Sequence, residues 1–199
     1  MNRKYSTIMT LEDHQAAARA LEAVLVGVTQ VECAVQRKQK VPGRMLTRFR
    51  RIQRAVEKIY LEMQEVQVRT LPHDADAADC WRKPELPPAP ASVMSKRIPV
   101  MTLAEHIACA RHLGQASRAA LSFLNLVSDR KYLPVRILDI GVRIENMLDL
   151  IRCGMDDVQH LTLPHPDAAV RCYFGIVNYF EGDEDCGRIG SQPAVEEQR

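Results

Sequence analysis

Nine cations fall within twenty-two residues of this chain: Arg37, Lys38, Lys40, Arg44, Arg48, Arg50, Arg51, Arg54 and Lys58. Their types and spacing make them the residues best able to do chemistry. Arginine presents a planar fork that pairs with carboxylates and phosphates through two hydrogen bonds, which a lysine cannot do. At 100° per residue Arg44, Arg48 and Arg51 form a stripe flanking an apolar face, and Arg50, Arg54 and Lys58 take the opposite side. No acid follows in sequence until Glu57, and cations near a helix N-terminus oppose the macrodipole. The pattern points to a contact with DNA or RNA phosphates, or with an acidic protein. Aromatics near the run are limited to Phe49 and Tyr60, and Phe49 belongs to the apolar stripe, so backbone contact is expected rather than base stacking.

The other reactive side chains carry weaker signals. His14 and His106 sit one turn into an apolar periodicity; a metal pair or phosphoacceptors is the functional reading, and neutral packed imidazoles the expected one. His73 and His165 follow proline and are expected to face solvent. Cys153, His160, His165 and Cys172 lack the spacing of a zinc site. Glycine-rich phosphate loops, nucleophile elbows and paired carboxylate–histidine motifs are missing, so no enzyme, metal or cofactor is expected.

The elements that must position these residues come from a duplication. Residues 9–73 and 101–165 align without a gap at an offset of 92: Met9-Thr-Leu-Glu-Asp-His14 returns as Met101-Thr-Leu-Ala-Glu-His106, and Thr70-Leu-Pro-His73 as Thr162-Leu-Pro-His165. The six cysteines, Cys33, Cys80, Cys109, Cys153, Cys172 and Cys186, read as unmatched between the copies, so a disulfide framework inherited by each repeat is not expected. Each copy reads as a helical hairpin. Leu21, Leu25, Val28 and Val31 in the first arm, and Phe49, Ile52, Val56, Ile59, Met63 and Val66 in the second, recur at three- and four-residue steps. Leu113, Leu121, Leu124 and Val127, then Ile144, Leu148, Ile151, Met155 and Val158, repeat that pattern. Thr10 with Asp13, and Thr102 with Glu105, have capping-box spacing. Pro42 and Pro134 should open the second arms from inside their first turns.

The fold expected is all-α, two tandem long helical hairpins in a pseudo-symmetric four-helix bundle. Residues 1–73 form the first repeat, 74–100 a Pro-rich linker with a lone anchoring tryptophan, Trp81, and 101–165 the second repeat. Residues 166–180 form a short aromatic element, in which Tyr173, Phe174, Tyr179 and Phe180 either cap the bundle or dock a partner, and 181–199 an acidic disordered tail. Whether the hairpins pack antiparallel or side by side is open.

Composition is that of an ordinary globular chain of 199 residues, 46% hydrophobic and 26% charged. Its net charge of +2 averages unequal parts. Residues 9–73 carry eleven Lys/Arg against seven Asp/Glu, residues 101–165 seven against seven, and the tail from Glu181 two against six. The tail could therefore screen the basic run. No leader-like or membrane-length apolar run occurs, so a cytoplasmic location, reduced thiols and no membrane contact are expected. Together these features lead to a non-enzymatic helical interaction protein, an adaptor, inhibitor or small assembly subunit with a protein or ribonucleoprotein partner. The alternative is a nucleic-acid-binding protein or ribonucleoprotein subunit that holds DNA or RNA through the basic helix. A homodimer would be a further way to cover an apolar hairpin face.

Overall fold

The structure, a computed structural model, describes residues 7–36, 38–71, 80–82, 84, 99–164 and 172–174. Four helices run through them: α1 (Leu11–Val35), α2 (Gly43–Thr70), α3 (Leu103–Val127) and α4 (Val135–Thr162). Each boundary in the first hairpin recurs 92 positions later in the second. Among the described residues there is no strand, only an isolated bridge between Thr7 and Arg130.

The helix ends follow from local chemistry. Thr10 and Thr102 complete both halves of a capping box with Asp13 and Glu105, so the shorter Asp serves as well as Glu. Pro42 and Pro134 stand at the N-cap, one residue earlier than expected, with extended ψ of 135° and 133°. A missing N–H is harmless there too, because no intrahelical acceptor precedes it. Lys40 and Tyr132, equivalent residues in the two hairpin turns, both take left-handed φ near 62°.

α1 packs against α2 and α3, and α4 against α3 and α2, which gives the bundle order α1, α2, α4, α3. The hairpins lie antiparallel. Lys38 at the end of α1 pairs with Glu105 at the start of α3 at 2.6 Å, and Arg130 at the end of α3 pairs with Asp13 at the start of α1 at 2.8 Å. The two pairs exchange roles at the 92-residue offset. Main-chain bonds do the same, with Gln39 N–H donating to Pro99 and Lys131 N–H to Thr7. Burial alone would raise the Glu105 carboxyl, but hydrogen bonds from Lys38 and Thr102 overcome it and hold the group below its usual range.

The core is one cluster in which Leu21, Val28, Phe49, Ile52, Ile59, Leu113, Phe123, Ile144, Leu148 and Ile151 are buried. α1 and α3 approach closely. A Cβ on Gly27 would stand 2.8 Å from the His112 carbonyl oxygen and 3.1 Å from Ala116 Cβ. Leu121, expected in the core from periodicity, is instead exposed, and Ala116, Ala120 and Phe123 occupy the buried face of α3. Small residues are what that approach requires.

Candidate functional site

The bundle divides the basic run into two groups. Lys38 is held by Glu105. Lys40 donates to the Leu161 carbonyl at 2.5 Å, and the half-buried Arg48 donates to the Leu150 carbonyl at 3.1 Å. These three tie the hairpins together. Arg50 lies 4.0 Å from Glu32, an acid on α1 that sequence proximity could not reveal. Arg37 lies outside the described residues. The remaining four, Arg44, Arg51, Arg54 and Lys58, are exposed, and no acid among the described residues is within ion-pair distance of any of them. The expected stripe of Arg44, Arg48 and Arg51 thus loses its middle member to a carbonyl on α4, and Lys58, expected on the opposite side, joins Arg44 and Arg51 instead, because seven residues are nearly two whole turns.

The second repeat adds to the same face. Arg48 reaching Leu150 and Glu62 meeting Arg136 fix the antiparallel register of α2 on α4. That register sets the exposed Arg143 level with Ala55, between Arg51 and Lys58. Arg136 sits 2.8 Å from the buried Glu62 carboxylate, close enough for an ion pair although the N–H is not aimed as a hydrogen bond. Position 154, the counterpart of Glu62, is glycine, which is why Arg44 has no acid where Arg136 has one. Leu150 and Leu161 are 48% and 59% exposed along this seam, beside the cations.

The two histidines at equivalent places in the repeats, His14 and His106, are structural. His14 and His106 are fully buried. His14 Nε2 bonds Thr70 Oγ1 at 2.8 Å while Trp81 Nε1–H donates to His14 Nδ1 at 3.2 Å. His106 repeats this with Thr162 at 3.1 Å and the Tyr173 hydroxyl at 2.9 Å. Both threonine hydroxyls donate back to their own helices, at Val66 and Val158. The His14 network therefore requires a neutral imidazole protonated at Nε2, because an indole N–H can only donate, whereas the Tyr173 hydroxyl can donate to or accept from His106 Nδ1. Burial holds each imidazole down at about 4, against the raising influence of Asp13 or Glu105.

Closing the copies at residues 73 and 165 hides the equivalence of Trp81 and Tyr173. Carried on at the same offset the copies reach residues 82 and 174, and Cys80 then corresponds to Cys172. Proline-rich divergence masks the continuation. Trp81 anchors as expected, packed edge-on against Tyr60 at 5.5 Å and His14 at 6.0 Å. Tyr173 is not an exposed docking residue. It is 2% exposed, stacked edge-on against His106 at 5.9 Å, and burial raises its hydroxyl far above the usual range. Phe174 is exposed, with the Arg152 guanidinium 5.4 Å from its ring centroid. Tyr179 and Phe180, and His73 and His165, lie outside the described residues.

Other chemistry is not concentrated anywhere described. Burial pushes the Cys109 thiol up to about 12, and also raises Cys172 despite a hydrogen bond with Gln159, so both are poor nucleophiles. Among the described residues no three His, Cys, Asp or Glu converge as metal ligands, and no helix is long and apolar enough to cross a membrane. A surface hollow of about 470 Å³ at the α3–α4 turn is lined by Arg130, Lys131, Tyr132 and Leu133, and Arg130 there is already held by Asp13 and Thr7. No family model, curated protein or solved structure matches this chain.

Proposed function

We propose that this chain is a non-enzymatic interaction protein that engages a macromolecular partner through the outer face of α2 and the adjoining edge of α4. It acts by occupancy, as an adaptor, inhibitor or assembly subunit. The observation that carries this reading is the segregation of the basic run: three cations hold the bundle, and Arg44, Arg51, Arg54 and Lys58 are left together on water with no ion-pair partner among the described residues. A solvated face usually intersperses the two signs. An acidic protein surface fits best, because exposed Leu150 and Leu161 beside the arginines supply the apolar contact that protein interfaces combine with Arg.

A phosphate backbone is the second reading, favoured by the seven-residue spacing of Arg44, Arg51 and Lys58. Seven residues rise about 10 Å along a helix, which makes a straight row of cations. Such binding would ignore base sequence and weaken steeply with salt.

Purification of the tagged full chain from its native source, with and without nuclease, tests the proposal. The wild type should retain a stoichiometric partner that Arg44→Glu/Arg51→Glu/Arg54→Glu loses while keeping its melting temperature. A nuclease-resistant partner supports the first reading and a nuclease-sensitive one the second. Equal retention by both chains, or none by the wild type, would overturn the assignment of this face.

A further inference from the structure

We propose that the occupant of the α2–α4 face is an acidic amphipathic helix of a partner protein, laid along the groove between the two helices; this rests on the reading of that face as the contact site. Three cross-helix contacts fix the order of residues along the groove. Lys40 donates to the Leu161 carbonyl, Arg48 donates to the Leu150 carbonyl, and Arg136 pairs with Glu62. In the direction of α2 the groove therefore presents Leu161, Arg44, Leu150, Arg51, Arg143 and Lys58, all exposed. Arg44, Arg51 and Lys58 line its α2 edge. Leu150 and Leu161, eleven residues or about three turns apart, share the facing side of α4. Between the leucines stands Gly154, partly exposed, with Met45 of α2 packed so closely that an added Cβ would lie 2.8 Å from its Cε. Without a side chain there, a further backbone can approach α4 closely.

A helix is the element whose repeat matches this surface. Arg44, Arg51 and Lys58 recur every seven residues, about 10.5 Å along the axis, and a partner helix lying along α2 repeats its acids at that same interval. An extended chain returns a side chain to one side about every 6.7 Å, so one in step with Arg44 misses Arg51 by about 3 Å. The apolar edge separates the helix from a phosphate backbone, which has nothing to set on Leu150 and Leu161. Helices docked in grooves are held by apolar anchors at three-, four- and seven-residue steps. Here an anchor lies over Gly154 between the leucines, and the acids flank it on the α2 side. Asp139 and Asp157, exposed on the leucine side of α4, repel acids there, so the partner's other flank is uncharged or basic. From Leu161 to Lys58 the groove runs for about twenty residues of helix, about 30 Å, which sets the length it holds.

The test follows the anisotropy of fluorescein-labelled three-heptad peptides titrated with the full chain at low salt. One peptide has a leucine in each heptad and a glutamate four residues after it, so that leucines and acids adjoin on one face. Its isomer, of identical composition and charge, has each glutamate two residues after the leucine, on the opposite face. Circular dichroism checks that the two are equally helical. The wild type should bind the first peptide about tenfold more tightly than the isomer, the low end of what burying one leucine contributes. Leu150→Ser/Leu161→Ser, which keeps every cation, should lose that preference. Equal binding of the two peptides by the wild type overturns the helix while leaving the face as an acidic contact. Tighter binding of a labelled DNA or RNA duplex than of either peptide overturns it in favour of phosphate. Binding of neither peptides nor duplex, or peptide binding that survives Arg44→Glu/Arg51→Glu/Arg54→Glu, overturns the assignment of the face as well.

Discussion

Replacing Gly27 by Ala tests the packing that organises the bundle, because the same substitution elsewhere should act with opposite sign. Gly27 is buried in the middle of α1, where the added Cβ would meet the His112 carbonyl oxygen at 2.8 Å and Ala116 Cβ at 3.1 Å. The first contact is with backbone and cannot rotate away. Overpacking of this kind costs about 1–3 kcal/mol, against up to about 1 kcal/mol gained from the better helix propensity of alanine. The net change runs from near neutral to about 2 kcal/mol destabilising. A Cβ added to Gly114 on α3 would have nothing within 4 Å, so Gly114→Ala keeps only the propensity gain, about 0.5–1 kcal/mol. The two variants should therefore differ by about 1–3 kcal/mol, a gap of about 2 to 12 °C in melting temperature for a chain this size. Thermal and urea denaturation followed by helical circular dichroism measures it. Gly27→Ala as stabilising as Gly114→Ala would refute the close approach of α1 to α3 at this point.

Other perturbations reach the remaining parts of the structure. Lowering the pH from 7 should weaken the fold as the unfolded imidazoles protonate near 6.5 while His14 and His106 stay neutral down to about 4. Stability is lost across that window, by roughly 3 kcal/mol per histidine at its lower end, and a flat urea midpoint between pH 7 and pH 4.5 would count against the buried networks. Trp81 is the sole tryptophan and is 1% exposed, so its emission should be blue-shifted; Tyr60→Ala should shift it to the red. Ile52→Ala or Ile144→Ala should each cost about 2–5 kcal/mol, whereas Arg50→Ala on the exposed side should change stability by less than about 0.5 kcal/mol. Charge reversal at Asp13 should hurt more than reversal at Glu65, since Asp13 both closes the α1 capping box and holds Arg130; equal effects would deny the inter-hairpin pairs their part in docking.

The four helices, their caps and most of the core are legible in the amino-acid order because those features are local. A 3.6-residue period, a threonine three residues before an acid and a proline at a turn act within one or two helical turns, and the gapless repeat supplies each signal twice. What the fold alone decides depends on residues far apart in the chain. Antiparallel docking comes from Lys38 meeting Glu105 and Arg130 meeting Asp13. The division of the basic run comes from carbonyls and acids on other helices, Leu161, Leu150 and Glu32, none of which sequence spacing brings near. Leu121 is apolar enough for the core, yet the close approach at Gly27 gives its place to alanines. Tyr173 has the character of a docking aromatic, but His106 needs a hydroxyl from 67 residues away to satisfy its ring. Periodicity records which face of a helix is apolar; which partner covers that face, and which charges are consumed in doing so, is settled only when the helices meet.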